Sequence, residues 1–328
     1  MRKSVASARH SSSVSNESCI VTDGNRQLIR IAAAVVIAVC SSARLSSPES
    51  KFQPRLQEAA DRSMDGRAGA VVVADVASGA LVAAHGLDAA AHQTQRPGST
   101  LKPFVLMALL ESGKLDASQR LLCRRPLRIG GVRMDCRHQR TLLDFNAEEA
   151  VTYSCNSYFA DVAARLNGTE LVETLRRAGL DSPSGLVKEE ASGHIARPDD
   201  RDMLQLEALG DRGVEVTTLE LLGAYRKLAL QRRNRNVGVD EPVFAGLEQS
   251  VVYGMAHAAN VEGMKIAGKT GTAASPGSAG THGFFLGYAP AGKPEIVLAV
   301  YLERGRGAEA AAIAQPVLTE FARERLAP

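Results

Sequence analysis

Apolar and polar positions divide the chain into strand-like ends and a helical middle. Residues 70–75 and 80–84 are short apolar runs joined through Ala77-Ser78-Gly79, which predicts a β-hairpin. Two further apolar runs, at 283–288 and 296–302, predict strands near the other end of the chain. The segments that form the sheet are therefore separated by a long insertion.

Helical periodicity occupies this insertion and the end of the chain. The apolar run 105–110 follows Pro97-Gly98 and stops at Gly113, which predicts a buried helix. Pro103 has no N–H to donate to the Ser99 carbonyl, so we expect a distorted first turn there. Further helices are predicted at 146–153, 157–166, 170–178, 219–230, 248–259 and 308–326.

The order of these elements predicts an α+β fold. Two strands precede the insertion and three follow it, the first of the three being residues 264–269, and helices lie at both ends. We expect an antiparallel sheet between helices, with an all-helical subdomain at about 114–240 inserted in it. A chain of 328 residues is long enough to build such a core.

The N-terminal part has the features of an exported protein. Residues 1–25 are polar and rich in serine, which predicts disorder. Residues 26–43 then run from basic through apolar to small, which is the order of an export signal. Cleavage after Ala43, lipidation at Cys40 and retention as a membrane anchor stay open, as does a buried soluble helix. Residues 44–67 read as a polar linker with a short helical patch near 56–60, and the folded domain as 68–326.

Charge and cysteine content narrow the class of protein. The net charge of +3 is spread along the chain, and the basic cluster 226–235 has no interleaved aromatic residues, which favours a solvated helix end over a nucleic-acid site. The five cysteines contain no C-x-x-C pair, which argues against a zinc or redox site. Cys123 and Cys136 flank Gly130-Gly131 and form either a disulfide, in an oxidising compartment, or two reduced thiols.

A nucleophile and its base are predicted where the buried helix begins. Ser99 and Lys102 are three residues apart, so on a helix they share a face and the hydroxyl can meet the amine. A serine beside an amine at the positive end of a helix dipole suits acyl transfer. The amine acts as a base only when it is neutral, which requires desolvation and a second positive charge nearby, and Lys269 can supply that charge.

Two further segments carry complementary chemistry. Ser154 lies between two predicted helices, where its hydroxyl can relay a proton, and Asn156 can donate to a substrate carbonyl and accept from Lys102. The same segment also suits a helix N-cap, and the two interpretations are compatible. Lys269-Thr270-Gly271-Thr272 ends a strand placed at a sheet edge, where an extended peptide can add and its terminal carboxylate can bind. We interpret His282, which begins the next strand, as structural.

The motifs S-x-x-K, S-x-N and K-T-G each occur in this order, at Ser99–Lys102, Ser154–Asn156 and Lys269–Gly271. With this set, residues 68–320 resemble the transpeptidase domain of penicillin-binding proteins, closest to the class B kind. The resemblance implies a β-lactamase/transpeptidase-like fold and a serine D,D-transpeptidase acting on peptidoglycan stem peptides ending in D-Ala-D-Ala. It also implies acylation by β-lactams and an oxyanion hole formed by the Ser99 and Thr272 backbone N–H groups.

The resemblance sets further expectations about surroundings and partners. We expect catalysis by Ser99, Lys102, Ser154, Asn156 and Lys269, substrate binding by Thr270, Gly271 and Thr272, and no metal, cofactor or nucleic acid. The protein is expected outside the cytoplasm, at the periplasmic face of the inner membrane. Residues 44–67 are too few for the pedestal domain usual in class B proteins, which raises cell-wall assembly proteins as partners.

Other activities use the same scaffold. A D,D-carboxypeptidase differs only in the acceptor, because water replaces the amine. A class A β-lactamase is disfavoured by the absence of E-x-x-L-N, and a class D enzyme by the absence of tryptophan. A β-lactam sensor or wall-assembly scaffold that lacks catalysis remains the alternative from another functional class.

Overall fold

A computed structural model of the chain describes residues 52–234, 238–275 and 279–326. The predicted disordered segment 1–25 and the signal or anchor at 26–43 lie outside the described residues. Within the described ranges, no helix combines the length and apolar character that a membrane span requires.

A five-stranded antiparallel sheet forms the centre of the molecule. Its strands are β1 (Gly69–Asp75), β2 (Leu81–His85), β9 (Ala267–Ala274), β10 (Thr281–Ala289) and β11 (Ile296–Leu302), in the spatial order β2-β1-β11-β10-β9. The predicted sheet of two early strands and three late ones is therefore confirmed, and β9 is an edge strand as expected. The strand predicted at 264–269 begins and ends later than predicted, so the segment Lys269–Thr272 lies inside β9 and not at its end. Because both faces of the sheet are covered, its strands read as continuous apolar runs rather than alternating ones.

Helix α1 (Pro54–Met64) and the C-terminal helix α10 (Gly307–Leu326) cover one face of the sheet. The short helical patch predicted near 56–60 is confirmed as part of this helix, but the linker predicted around it is wrong there, and the folded domain begins before residue 68. The side chains of Leu56, Ala60 and Met64 recur every four residues and are buried. Ala59 widens this stripe, but four apolar positions in a polar segment give a weaker signal than the apolar runs of the strands.

The other face is covered by the inserted region. The helices there and on its flanks are α2 (Leu87–His92), α3 (Lys102–Glu111), α4 (Ala147–Thr152), α5 (Asn156–Ala163), α6 (Gly168–Ala178), α7 (Arg201–Ala208), α8 (Thr218–Asn234) and α9 (Glu241–Val252), with 3₁₀ turns at Gly98–Leu101 and His257–Ala259. Helices α3, α4, α5, α6 and α8 lie within a few residues of their predicted bounds, whereas α2 and α7 were not predicted. The helix predicted at 248–259 is instead α9, which begins seven residues earlier because Pro242 suits a first helical turn.

The inserted region is mostly helical, but it is not all-helical as predicted. It also contains three two-stranded ribbons made of two-residue strands. These are β3 (Leu121–Leu122) with β6 (Asp144–Phe145), β4 (Arg128–Ile129) with β5 (Val132–Arg133), and β7 (His194–Ile195) with β8 (Val214–Glu215). Strands of this length carry no measurable periodicity, so the hydrophobic pattern could not reveal them.

Candidate active site

Ser99 lies in the 3₁₀ turn that leads into α3. The backbone N–H of Lys102 donates to the Ser99 carbonyl, a bond three residues apart, and Pro103 follows with no N–H of its own. The predicted distortion of the first turn is therefore confirmed. Gly98 has φ +56°, a conformation that glycine adopts at little cost, and it turns the chain into the helix. The side chain of Ser99 is half-buried.

The Lys102 amine is fully buried and has three acceptors. Its Nζ donates to the Ser154 carbonyl at 2.8 Å, to Ser154 Oγ at 3.2 Å and to Asn156 Oδ1 at 2.5 Å. Burial lowers the pKa of Lys102 to about 8, and negative charge on the sulfurs of Cys136 and Cys155 acts in the opposite direction. A substantial fraction of this amine is therefore neutral near physiological pH, as a base requires.

The second amine of the site comes from strand β9. Lys269 Nζ donates to Ser154 Oγ at 2.8 Å and to the Thr270 carbonyl at 3.1 Å. Burial lowers the pKa of Lys269 well below its ordinary value, and the Lys102 charge lowers it further. One hydroxyl, that of Ser154, thus touches two buried amines from opposite sides of the cleft. This arrangement brings together three segments that are far apart in sequence.

Ser154 occupies the turn between α4 and α5 that the sequence predicted. Its φ of +53° is in the left-handed region, which is strained for a residue with a Cβ and recurs at functional sites. The N-cap of α5 is its neighbour Cys155, whose sulfur accepts from the Tyr158 N–H. Asn156 donates its Nδ2 to the Met134 carbonyl at 2.9 Å, which aims its oxygen at Lys102.

The predicted contact between Ser99 and Lys102 takes a different form. Within residues 52–234, 238–275 and 279–326, the Ser99 hydroxyl has no hydrogen bond, and the Lys102 amine is bound to Ser154 and Asn156 instead. Ser99 nevertheless lines the same cleft as these two residues, together with Thr270 and Thr272, in a cavity of about 290 Å³.

Strand β9 packs directly against the turn that carries Ser99. A Cβ at Gly271 would lie 2.5 Å from the Pro97 carbonyl oxygen, so only glycine allows this approach. His282, on β10, is fully buried and its Nε2 lies 2.7 Å from the Arg96 carbonyl. This bond ties the sheet to the segment before Ser99, which agrees with the structural role expected for the histidine.

Gly271→Ala tests this packing. The added methyl group would also approach Thr100 Cγ2 to 2.7 Å, so β9 must move away from the turn. Because small misplacements of reacting groups cost about a hundredfold in rate, we expect penicillin acylation to slow by about that factor. The matched control is Gly292→Ala, where nothing lies within 4 Å of the new Cβ. Equal acylation rates for the two variants would show that the approach is not needed.

Several residues that line the cleft were not predicted from the sequence. Arg133 ends β5, Asp135 and Arg137 lie in the loop that follows it, and Tyr153 and Met255 come from other segments. They reach the cavity only because the inserted region folds over it, and no motif spacing indicates this. Arg133 forms an ion pair with Asp135, so among these three residues it is Arg137 that adds net positive charge beside the cleft.

Comparison with known proteins places the chain in a family. The family model described as penicillin binding protein transpeptidase domain matches residues 69–323. The peptidoglycan D,D-transpeptidase PbpA of Mycobacterium tuberculosis is 25% identical over 266 residues, covering 69% of this chain and 54% of that protein. FtsI of Escherichia coli, also named a peptidoglycan D,D-transpeptidase, is 26% identical over 231 residues, covering 63% and 39%.

A solved structure agrees with the fold. The transpeptidase domain of Burkholderia pseudomallei penicillin-binding protein 3 superposes with a TM-score of 0.74 at 18% identity, covering 84% of this chain and 96% of that one. The chain spans about half the length, or less, of the curated relatives that it matches. Since the family model covers most of the chain, the protein belongs to the penicillin-binding protein transpeptidase domain family.

Proposed function

We propose that this protein is a serine D,D-transpeptidase that forms an acyl-enzyme on Ser99. The observation that carries the proposal is the Ser154 hydroxyl held between the buried amines of Lys102 and Lys269, in the cleft that Ser99 lines. Such a group of side chains can take a proton from a nucleophile and return it to a leaving amine.

The first half of the reaction acylates the enzyme. Ser99 Oγ attacks the carbonyl carbon of the penultimate D-alanine, and its proton passes to the neutral amine of Lys102. The backbone N–H groups of Ser99 and Thr272 stabilise the oxyanion of the tetrahedral intermediate. When the C–N bond breaks, the proton reaches the departing D-alanine through Ser154, whose oxygen lies 3.2 Å from Lys102 Nζ.

The second half releases the product by the same steps in reverse. The amine of a neighbouring stem peptide attacks the ester carbonyl, loses its proton to Lys102, and displaces Ser99 Oγ, which regains a proton. A peptide bond forms and the serine is restored, so no oxidant, metal or cofactor takes part. With water as the acceptor the same steps would give a carboxypeptidase.

Substrate binding follows from the position of β9. As an edge strand it offers free backbone groups along the cleft, where an extended peptide can add as a further strand. Thr270 and Thr272 line the cavity and their hydroxyls suit a terminal carboxylate, with the Lys269 amine next to the Thr270 backbone. The backbone of Gly271 leaves room for this approach.

The chemistry of the substrate implies an extracytoplasmic site of action. Peptidoglycan is cross-linked outside the cytoplasmic membrane, so residues 26–43 serve as export signal or anchor in this proposal. Cell-wall assembly proteins are then the partners that would bring the enzyme to its substrate.

A fluorescent penicillin tests the proposal. A β-lactam is a cyclic amide whose leaving amine stays tethered after ring opening, so acylation of Ser99 yields a long-lived adduct. We expect the full chain, purified in mild detergent, to keep its fluorescence through denaturing electrophoresis and to lose it when pre-treated with unlabelled penicillin. Rapid release of opened penicillin would instead indicate a β-lactamase. Absence of any adduct would contradict the acyl-enzyme and favour a scaffold.

The acceptor is tested with a peptide substrate. A pentapeptide ending in D-Ala-D-Ala is incubated with the enzyme and an acceptor amine, and the products are separated by mass. A cross-linked product supports the transpeptidase, whereas the tetrapeptide alone would identify a carboxypeptidase.

A further inference from the structure

Three cysteines and a histidine meet beside the catalytic turn, which is the turn between α4 and α5 that carries Ser154. The ligand atoms of Cys123, Cys136, His138 and Cys155 all lie within 4.8 Å of one another. Cys155 and His138 are buried, and the other two side chains are partly buried. The four residues come from three separate segments, so the fold, not a local motif, brings them together.

Their spacing matches tetrahedral coordination. With zinc–sulfur bonds of about 2.3 Å, two sulfurs of a tetrahedral site lie about 3.8 Å apart. Here the Sγ atoms of Cys136 and Cys155 are 3.8 Å apart, and those of Cys123 and Cys136 are 3.6 Å apart. His138 Nε2 lies 3.6 Å from Cys123 Sγ. All three cysteines are free thiols in the structure, including the pair that the sequence left open as a disulfide.

The surroundings of the cluster stabilise metal-binding forms of its side chains. The backbone N–H groups of Ser157 and Tyr158, at the start of α5, point at the sulfurs of Cys136 and Cys155 at 3.4 and 3.5 Å. His138 Nδ1 lies 3.0 Å from the Gln139 carbonyl. A proton on Nδ1 can bond that oxygen and leave the Nε2 lone pair facing the sulfurs, as in histidine ligands generally.

The charge nearby also suits a thiolate-rich site. Three thiolates and a neutral imidazole around a divalent ion carry one net negative charge. Arg125 donates its Nε to Cys123 Sγ at 3.3 Å and places a positive charge against the cluster. Its Nη2 lies 2.5 Å from His138 Nδ1 and 2.8 Å from Nε2, so this end of the guanidinium must move away from the ring when a metal binds. A surface cavity of about 430 Å³, lined by Cys123, Cys136 and Arg125, gives ions a route from solvent.

We propose that Cys123, Cys136, His138 and Cys155 form a tetrahedral zinc site. Three sulfurs and one imidazole nitrogen are a ligand set that zinc prefers in closed, structural sites. The lack of a C-x-x-C pair argued against zinc at the level of sequence. A C-x-x-C pair supplies two zinc ligands from one hairpin. Here the four ligands come from three segments, which are the residue after β3, the loop after β5 and the residue before α5.

The site would position the catalytic turn without touching the substrate. Cys155 lies between Ser154 and Asn156, so a metal bond to its sulfur holds the left-handed backbone of Ser154 in place. The loop after β5, which carries Cys136 and His138, also carries Met134, whose carbonyl orients the Asn156 amide. Zinc therefore ties the loop and the turn together directly behind the two amines.

Metal content is the direct test, and it does not depend on the proposed activity. The full chain is produced with zinc in the medium, desalted, and analysed for metal by mass spectrometry and for thiols under native and denaturing conditions. We expect about one zinc per chain, released when a mercurial reagent modifies the three thiols. Cys123→Ser and His138→Gln should each lower the zinc content severalfold or more. The control is the double variant Cys19→Ser, Cys40→Ser, which removes the other cysteines and should retain zinc.

Cobalt and thermal unfolding keep the test decisive if a variant folds poorly. Cobalt added to the metal-stripped wild type should give the intense visible bands of tetrahedral thiolate coordination. Chelator should lower the Tm of the wild type and leave that of a folded Cys123→Ser variant unchanged. A Cys123–Cys136 disulfide in non-reducing peptide maps, or three accessible thiols without metal, would overturn the proposal. Penicillin labelling of the same samples reports separately on the acyl-enzyme.

Discussion

Ser99→Ala is expected to abolish covalent labelling by penicillin. The variant removes the only hydroxyl assigned to attack the lactam carbonyl, and loss of the nucleophile alone removes most of the catalysis in serine acyl transfer. We expect the second-order rate constant of acylation to fall by at least about a thousandfold. Because the side chain makes no hydrogen bond in the described part of the chain, the free energy of unfolding should change little.

A serine at the other end of the same helix provides the matched control. Ser112 is exposed, caps the end of α3, and donates its hydroxyl to the Ala108 carbonyl. Ser112→Ala should acylate at the wild-type rate. Stopped-flow or quenched time courses with a fluorescent penicillin give both rate constants, and thermal unfolding reports on the fold. Residual labelling of Ser99→Ala close to that of the control would place the nucleophile elsewhere.

Lys102→Met is expected to slow acylation by about a hundredfold to ten-thousandfold, the range contributed by a general base. Methionine fills most of the space of the buried side chain but cannot accept a proton. It also leaves the Ser154 carbonyl and the Asn156 amide oxygen without their donor, so some loss of stability accompanies the change. Rate constants at substrate saturation separate the lost chemistry from weaker binding.

The pH dependence of the acylation rate of the wild type also tests whether Lys102 is the base. Lys102 is a base only when neutral, and burial lowers its pKa to about 8. The acylation rate should therefore rise about tenfold per pH unit below pH 8 and level off above it. Lys114→Met is the matched control, since that amine pairs with Glu170 away from the cleft and should leave rate and profile unchanged. A flat profile between about pH 6 and 9 would contradict Lys102 as the base.

The catalytic constellation was accessible from sequence because its parts have local signatures. Ser99 and Lys102 come just before a run of apolar residues. This pattern predicts that both lie in the first turn of a buried helix, as the structure shows. Lys269 was predicted to end a strand at residues 264–269 and is instead the third residue of β9, but the predicted position of that strand at the sheet edge is confirmed. Ser154 lies between two helical segments that periodicity identifies. In each case the chemistry and the backbone are set by neighbours in sequence.

Contacts that depend on distant segments were less accessible. The amine of Lys102 was expected to meet the Ser99 hydroxyl, three residues away, and its described partners are Ser154 and Asn156. Local spacing shows which neighbouring groups can meet. It cannot show which acceptors the fold brings to the amine from more than fifty residues away. The cysteine and histidine cluster is the extreme case, because no two of its segments share a local motif.

Segments with weak patterns explain the remaining differences in fold. Helix α1 buries only a narrow stripe, so its polar composition suggested a linker. Helix α9 was predicted seven residues late because its first turn, with Asp240, Glu241 and Pro242, reads as a loop. Packing against neighbouring elements, rather than intrinsic propensity, determines where such helices begin.

Peptide mapping of the penicillin adduct identifies the acylated residue, which we expect to be Ser99. The full chain is incubated with a penicillin, digested and analysed by tandem mass spectrometry. We expect one added penicillin, located on Ser99 in the peptide that contains Lys102. An adduct on Ser154 or on another residue, with Ser99 unmodified, would contradict it.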